Sequence, residues 1–213
     1  VSVRRPDSNK RTNILRAATD VFSTREFHTV PVEDIAVAAG VGKGTLYLYF
    51  PTKEQLFYAT ILEAMDVLIQ ELRAATARRR GEDGLQAFVE CMLDFFWRRR
   101  QLAVLMHRYE HRLREPEGVE WRARRAQLVA TARRLIGHVA LAPRDATLAT
   151  EMLLSLVRAA VLNHRDGERA ARAAEIVVRV FLHGIVAGEN GKGAFKSARG
   201  RTKNGARAAG GRR

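Results

Sequence analysis

The chain has 213 residues, 46% of them hydrophobic, and a formal net charge of +14. Such a length fits one large domain or a small one plus a larger one, and no apolar run approaches the ~20 residues of a membrane-spanning helix. A single cysteine, Cys91, excludes an internal disulfide and, with a polar start lacking a secretory signal, leads us to expect a cytoplasmic protein.

Helical periodicity runs nearly throughout, and no segment reads convincingly as a strand. Ile14, Ala18 and Val21 stripe a first helix that Asp7 or Ser8 is placed to cap and that ends before Phe27. A short helix follows Pro31 and closes at Ala39-Gly40, and another covers 43–49. Thr52, with Gln55 three residues on, has capping-box spacing and opens a long helix striped by Phe57, Ile61, Met65, Leu68 and Leu72. About five more follow Gly81: one ending near Arg98, one over 102–113, one striped by Trp121, Leu128 and Leu135, and two over about 145–163 and 168–187. The expected fold is all-α, with about nine helices. The last two contain "LLSLVRAAVL" and "IVVRVFL", apolar nearly all round, which predicts burial on more than one side. A second copy of the chain is the expected cover.

Charge divides the chain into three. Residues 1–53 carry 8 basic and 5 acidic groups, residues 54–188 carry 21 and 17, and residues 189–213 carry 8 and 1. The last stretch is glycine-rich and aperiodic, the composition of a disordered basic tail. Its charge suits sequence-independent attraction to phosphate backbones.

The stretch "AAGVGKGTLYLYFPTKEQLF" (38–57) contains Gly42-Lys43, but it is no phosphate-binding loop. That loop needs glycine where Val37 stands, a hydroxyl where Gly44 stands, and a preceding strand. A helix-turn-helix needs instead a small residue where two helices cross, met by Ala36, and a residue tolerant of positive φ in the turn, met by Gly40. Ile35, Ala39, Val41 and Leu46 supply the apolar flanks.

Over about residues 10–57, "VEDIAVAAGVGKGTLYLYFPTKEQLF" resembles the DNA-binding domain of the TetR family of transcriptional regulators. The resemblance implies a helix-turn-helix domain over 1–53 and a helical effector-binding and dimerisation domain over 54–188. It implies a homodimeric repressor that a small apolar or amphipathic effector releases from a palindromic operator, with no enzymatic activity, cofactor or metal. Lys43, Thr45 and Tyr47 would reach base edges or phosphates, Tyr49 and Lys53 phosphates, and Gly42 would let the backbone approach DNA. Thr29 stands nearest to where the family carries a capping threonine, a position taken here by Pro31. Leu48 replaces a frequent histidine and either touches a thymine methyl or faces the long helix. The middle-helix residues Phe88, Met92, Phe95, Phe96, Met106, Tyr109 and Trp121 are candidates for the effector cavity. Leu153, Leu156, Val157, Val161, Val177, Val180, Phe181 and Gly184 are candidates for the dimer interface.

Two other readings have their own signals. The basic tail would serve a non-specific DNA-packaging protein. "HRYEH" places His107, Glu110 and His111 in the H-x-x-E-H pattern of one class of zinc peptidase, the signal of a metal-dependent hydrolase, although without a clear third ligand, and among arginines it reads first as a charged helix face.

Overall fold

The computed structural model describes residues 8–113, 118–138, 145–163 and 169–184. Nine α-helices and no strand occur among these described residues. They are α1 (Ser8–Thr24), α2 (Val32–Ala38), α3 (Lys43–Tyr49), α4 (Lys53–Thr76), α5 (Gly81–Trp97), α6 (Arg100–Leu113), α7 (Val119–Ile136), α8 (Ala146–Leu162) and α9 (Ala170–His183), with one 3-10 turn at Phe27–Thr29.

Helices α1 to α3 form a small head. Its core is Ile14, Leu15, Ala18 and Phe22 of α1 with Ile35 and Ala36 of α2 and Leu46 of α3, all buried. The head also draws on α4. Phe57 meets Phe22 edge-on with ring centroids 5.3 Å apart and Phe27 at 5.1 Å, so the long helix is fastened to the head by its first turns. Thr52 caps α4, its Oγ1 accepting from the Gln55 N–H at 3.1 Å. Ser8 lies inside α1 rather than capping it, and Asp7 is outside the described residues.

Beyond the head, α5 is the central helix, packed against α4, α6, α7, α8 and α9. Small residues allow the closest approaches. A Cβ at Gly84 would stand 2.7 Å from Leu135 Cδ2 of α7, and Ala173 and Ala174 present a low, buried surface on α9, a helix that packs on α5. The buried hydroxyls of Thr60, Thr76 and Thr150 donate to carbonyls one turn back at 2.6–2.8 Å, so they burden the core with no unmet donor. A two-pronged Arg124–Asp66 pair, at 2.7 and 2.9 Å, ties α7 to α4. Helix α9 ends at Gly184, whose φ of +76° breaks the helical path, earlier than the periodicity suggested. The tail of residues 189–213 lies outside the described residues.

Candidate nucleic-acid interface

The turn between α2 and α3 is fixed by three backbone bonds. Ala39 N–H donates to Ile35 O at 2.9 Å, Gly40 N–H to Val37 O at 3.0 Å and Val41 N–H to Ala36 O at 3.0 Å. The last two make a Schellman closure, which places Gly40 in the left-handed region at φ +66°. Leu46 and Phe50 anchor α3 inward, 1% and 5% exposed. The opposite side of α3 is left clear: Lys43, Gly44, Tyr47 and Leu48 are exposed, and Thr45 and Tyr49 are half-buried.

Each cation near this face is steered by a neighbour. Lys43 pairs with Glu33, in the first turn of α2. Their hydrogen bond is the main cause that raises the lysine's pKa and lowers the carboxyl's; mutual attraction comes next for the lysine, and a backbone hydrogen bond for the carboxyl. Arg25 pairs with Asp34 at 2.6 Å and reaches the Thr29 carbonyl at 3.4 Å. Lys53 holds its Nζ 4.5 Å from the Phe27 ring centroid, and desolvation there lowers its pKa although Glu54 opposes the shift. Arg11 lies over Phe50, 5.5 Å from the centroid, linking α1 to the end of α3.

Two expectations change. Thr29 does not cap α2: its hydroxyl donates to the Glu26 carbonyl at 2.8 Å, and the cap position is Pro31, with no side-chain bond. Leu48 does not face α4, because it is 83% exposed. Gly42 is the residue before α3, extended at φ −72° and ψ 150°, and the space where its Cβ would lie is open. Glu33 was missed. A pair ten residues apart across a turn has no periodic signature, and only folding α2 against α3 reveals it.

A second feature is a cavity of about 370 Å³ walled by α5, α6, α7 and α8. Met92, Phe96, Met106 and Trp121 line it as expected. Phe88 and Phe95 do not; both are fully buried in the core of α5. The side chains of Tyr109, Glu110 and His111 are outside the described residues. Helix α8 contributes Glu151, Ser155 and Arg158 to the lining, which sequence reasoning passed over by treating α8 as an interface helix. Their signal was present, since polar residues at i, i+4 and i+7 on an otherwise apolar helix mark a separate stripe.

Of the residues expected at a dimer interface, Leu153, Val157, Val161 and Val177 are already buried within one chain. Leu156, Val180 and Phe181 are half-buried, and Gly184 is exposed. The apolar side chains that α8 and α9 leave outside are Leu148, Met152 and Ile176, 67%, 55% and 39% exposed.

Residues 14–60 match the family described as bacterial regulatory proteins, tetR family. The HTH-type transcriptional activator FasR of Mycolicibacterium smegmatis is 36% identical over 96 residues, 43% of this chain and 42% of that protein. The HTH-type transcriptional regulator RutR of Escherichia coli K12 is 43% identical over 67 residues, 32% of each chain. The chain thus spans less than half the length of these curated relatives. The transcriptional regulator FadR of Bacillus subtilis, solved in complex with stearoyl-CoA, shares the fold over 82% of this chain and 98% of its own, with a TM-score of 0.67 and 20% identity. Motif and turn geometry agree over residues 14–60, which match the tetR family of bacterial regulatory proteins, and the chain beyond them shares the all-helical fold of the solved structure.

Proposed function

We propose that the protein is a homodimeric, sequence-specific DNA-binding regulator of transcription, acting as a repressor that a small apolar or amphipathic effector releases from a palindromic operator. The observation that carries this reading is the clear side of α3. A rigid turn holds Lys43, Gly44, Tyr47 and Leu48 outward together, the form in which a helix enters a major groove. Lys53, at the N-terminus of α4, adds an ammonium and the helix's own N–H groups for a phosphate. Two copies joined through the exposed apolar residues of α8 and α9 would set two heads roughly one helical turn of DNA apart, ~34 Å.

The 1–53 and 54–188 units of this reading are joined by α4 and by the packing of α1 on α6. Helix α6 also supplies Ala103, Met106 and His107 to the cavity. A ligand that binds one arrangement of α6 better than another would therefore shift the heads, through its differential affinity. FadR, of the same fold, is a precedent for a regulator with a ligand.

Selection of duplexes from a random pool by the purified protein tests the reading. Inverted repeats bound by two chains are expected; a monomer without sequence preference sinks it. Among the described residues no helix is long and apolar enough to cross a membrane.

The basic stretch 189–213 favours a second reading, a non-specific DNA-packaging protein. Deleting it separates the two. An architectural protein loses nearly all affinity, whereas a regulator loses non-specific binding and part of its salt dependence.

A further inference from the structure

We propose that the cavity bounded by α5 to α8 takes a neutral, largely apolar ligand carrying a hydrogen-bond-acceptor oxygen, and that the indole N–H of Trp121 is the group that recognises this oxygen. The inference deepens the reading of this cavity as the effector site and rests on it. The body is set by the walls. Met92, Phe96, Met106, Val157 and Val161 face a space of about 370 Å³, within the range that encloses a small organic molecule. Thioethers and a flat ring pack well on aromatic faces and edges, so an aromatic body suits them.

The charges in the wall are already engaged. Arg125 Nη2 donates to Glu151 Oε2 at 2.8 Å and Oε1 at 3.1 Å, and His107 and Arg158 each have an interaction of their own. An ionised ligand head therefore finds no charge kept for it. Taking such a head out of water costs far more than one hydrogen bond returns.

One polar group in the wall is unmet. Trp121 of α7 is 6% exposed, and its Nε1–H is buried with no acceptor among the described residues. No other described residue of the lining has a buried side-chain nitrogen or oxygen in that state. An indole N–H donates and never accepts, and a buried donor left unmet is costly. A carbonyl or ether oxygen answers it, after a small turn of the ring, without bringing in a charge. Trp121 also stands on the helix that grips α4, since Arg124 of α7 holds Asp66 at 2.7 and 2.9 Å. A ligand oxygen that turns the Trp121 ring thus acts on a helix tied to the one that carries the head.

The test uses the full chain with four probes built on one frame: benzophenone; diphenylmethane, in which a methylene replaces the carbonyl; 4-benzoylbenzoate; and (4-benzoylbenzyl)trimethylammonium. Affinities are read by calorimetry. Water holds the two neutral probes unequally, so the readout is their affinity ratio before and after Trp121→Phe, which keeps a ring in the wall and removes the N–H. The variant is expected to weaken both and to lower the ratio of benzophenone to diphenylmethane affinity roughly tenfold. Each charged probe is expected to bind roughly tenfold or more weaker than benzophenone. The infrared carbonyl stretch of bound benzophenone is a second readout that needs no variant. It is expected below its value in cyclohexane, as a hydrogen bond to the oxygen requires, and to move back towards that value in Trp121→Phe. Thermal melts show whether the variant folds; if it does not, the stretch in the native protein decides. A ratio unmoved by Trp121→Phe, an unshifted stretch, equal or tighter binding of either charged probe, or no binding of benzophenone overturns the proposal. Operator release is measured separately. Benzophenone that binds in this pattern but leaves DNA affinity unchanged sinks the effector reading and leaves the ligand class standing.

Discussion

Lys43, the first residue of α3, is paired with Glu33 on the helix before it, across the turn made by Gly40. The carboxylate is ionised at neutral pH, as carboxylates ordinarily are, and the lysine's hydrogen bond lowers its pKa further. On the proposed reading Lys43 would exchange Glu33 for DNA, and a phosphate approaching this corner would meet a negative charge first. Glu33→Gln is expected to raise affinity for a random-sequence duplex severalfold and steepen its salt dependence by about one phosphate, a slope change near 0.9. Fluorescence anisotropy at several salt concentrations measures both, and an unchanged slope refutes the competition.

Tyr47→Ala and Lys53→Ala are expected to reduce operator binding to the non-specific level. Tyr47 is exposed on α3 while Lys53 lies against Phe27 at the start of α4, both far in sequence from α8 and α9. Sedimentation should show intact dimers for each variant. Monomers in either would contradict the division of roles.

Leu48 offers its apolar side chain to solvent, 83% exposed, which suits the 5-methyl group of thymine in the major groove. Replacing thymine by uracil in the selected operator, one position at a time, removes only that methyl. At the contacted position the loss is expected to be about fourfold, the worth of one buried methyl group. Leu48→Ala should bind both duplexes alike; a full thymine preference in that variant would assign the contact elsewhere.

Gly40→Ala isolates backbone strain. No atom lies within 4 Å of the added Cβ, yet φ is +66°. The expected loss of stability is about 1–2 kcal/mol, read from urea unfolding, and a neutral effect would mean that the turn relaxes.

Cys91 should be an inert thiol. Burial first, with Glu71 and Asp94 adding to it, pushes its pKa up to about 11 from an ordinary value near 9. The folded chain keeps a proton that the unfolded chain releases above pH 9, so this group's contribution to stability is whole below pH 9 and declines as pH rises towards 11. Iodoacetamide at pH 8 is expected to modify the native protein roughly a hundredfold more slowly than the urea-unfolded one. Comparable rates would show that Cys91 is exposed and ionised.

The head was legible because its constraints are local. Gly40, Ala36 and the Thr52 cap each answer a demand made by residues within one or two turns, and the structure meets each at the named position. The cavity was legible only in part. A helix buried all round shows apolar residues everywhere, so Phe88 and Phe95 look the same in sequence as Met92 and Phe96, although only the latter pair line the cavity. What separates them is the choice of neighbour on each side of α5, which is settled by long-range packing. The dimer candidates show the same limit. Leu153 and Val177 are as apolar as an interface requires, but α5, α8 and α9 consume them within one chain.

Gly42 and Gly44 flank Lys43, and around both the space where a side chain would begin is open. Neither glycine has the positive φ that strains other residues. These two sites are therefore blank type in a fixed frame. On the proposed reading, new letters set there would retarget the protein to other operators, and for Gly44, inside a helix, the change to alanine is expected to strengthen the scaffold by about 1 kcal/mol as well.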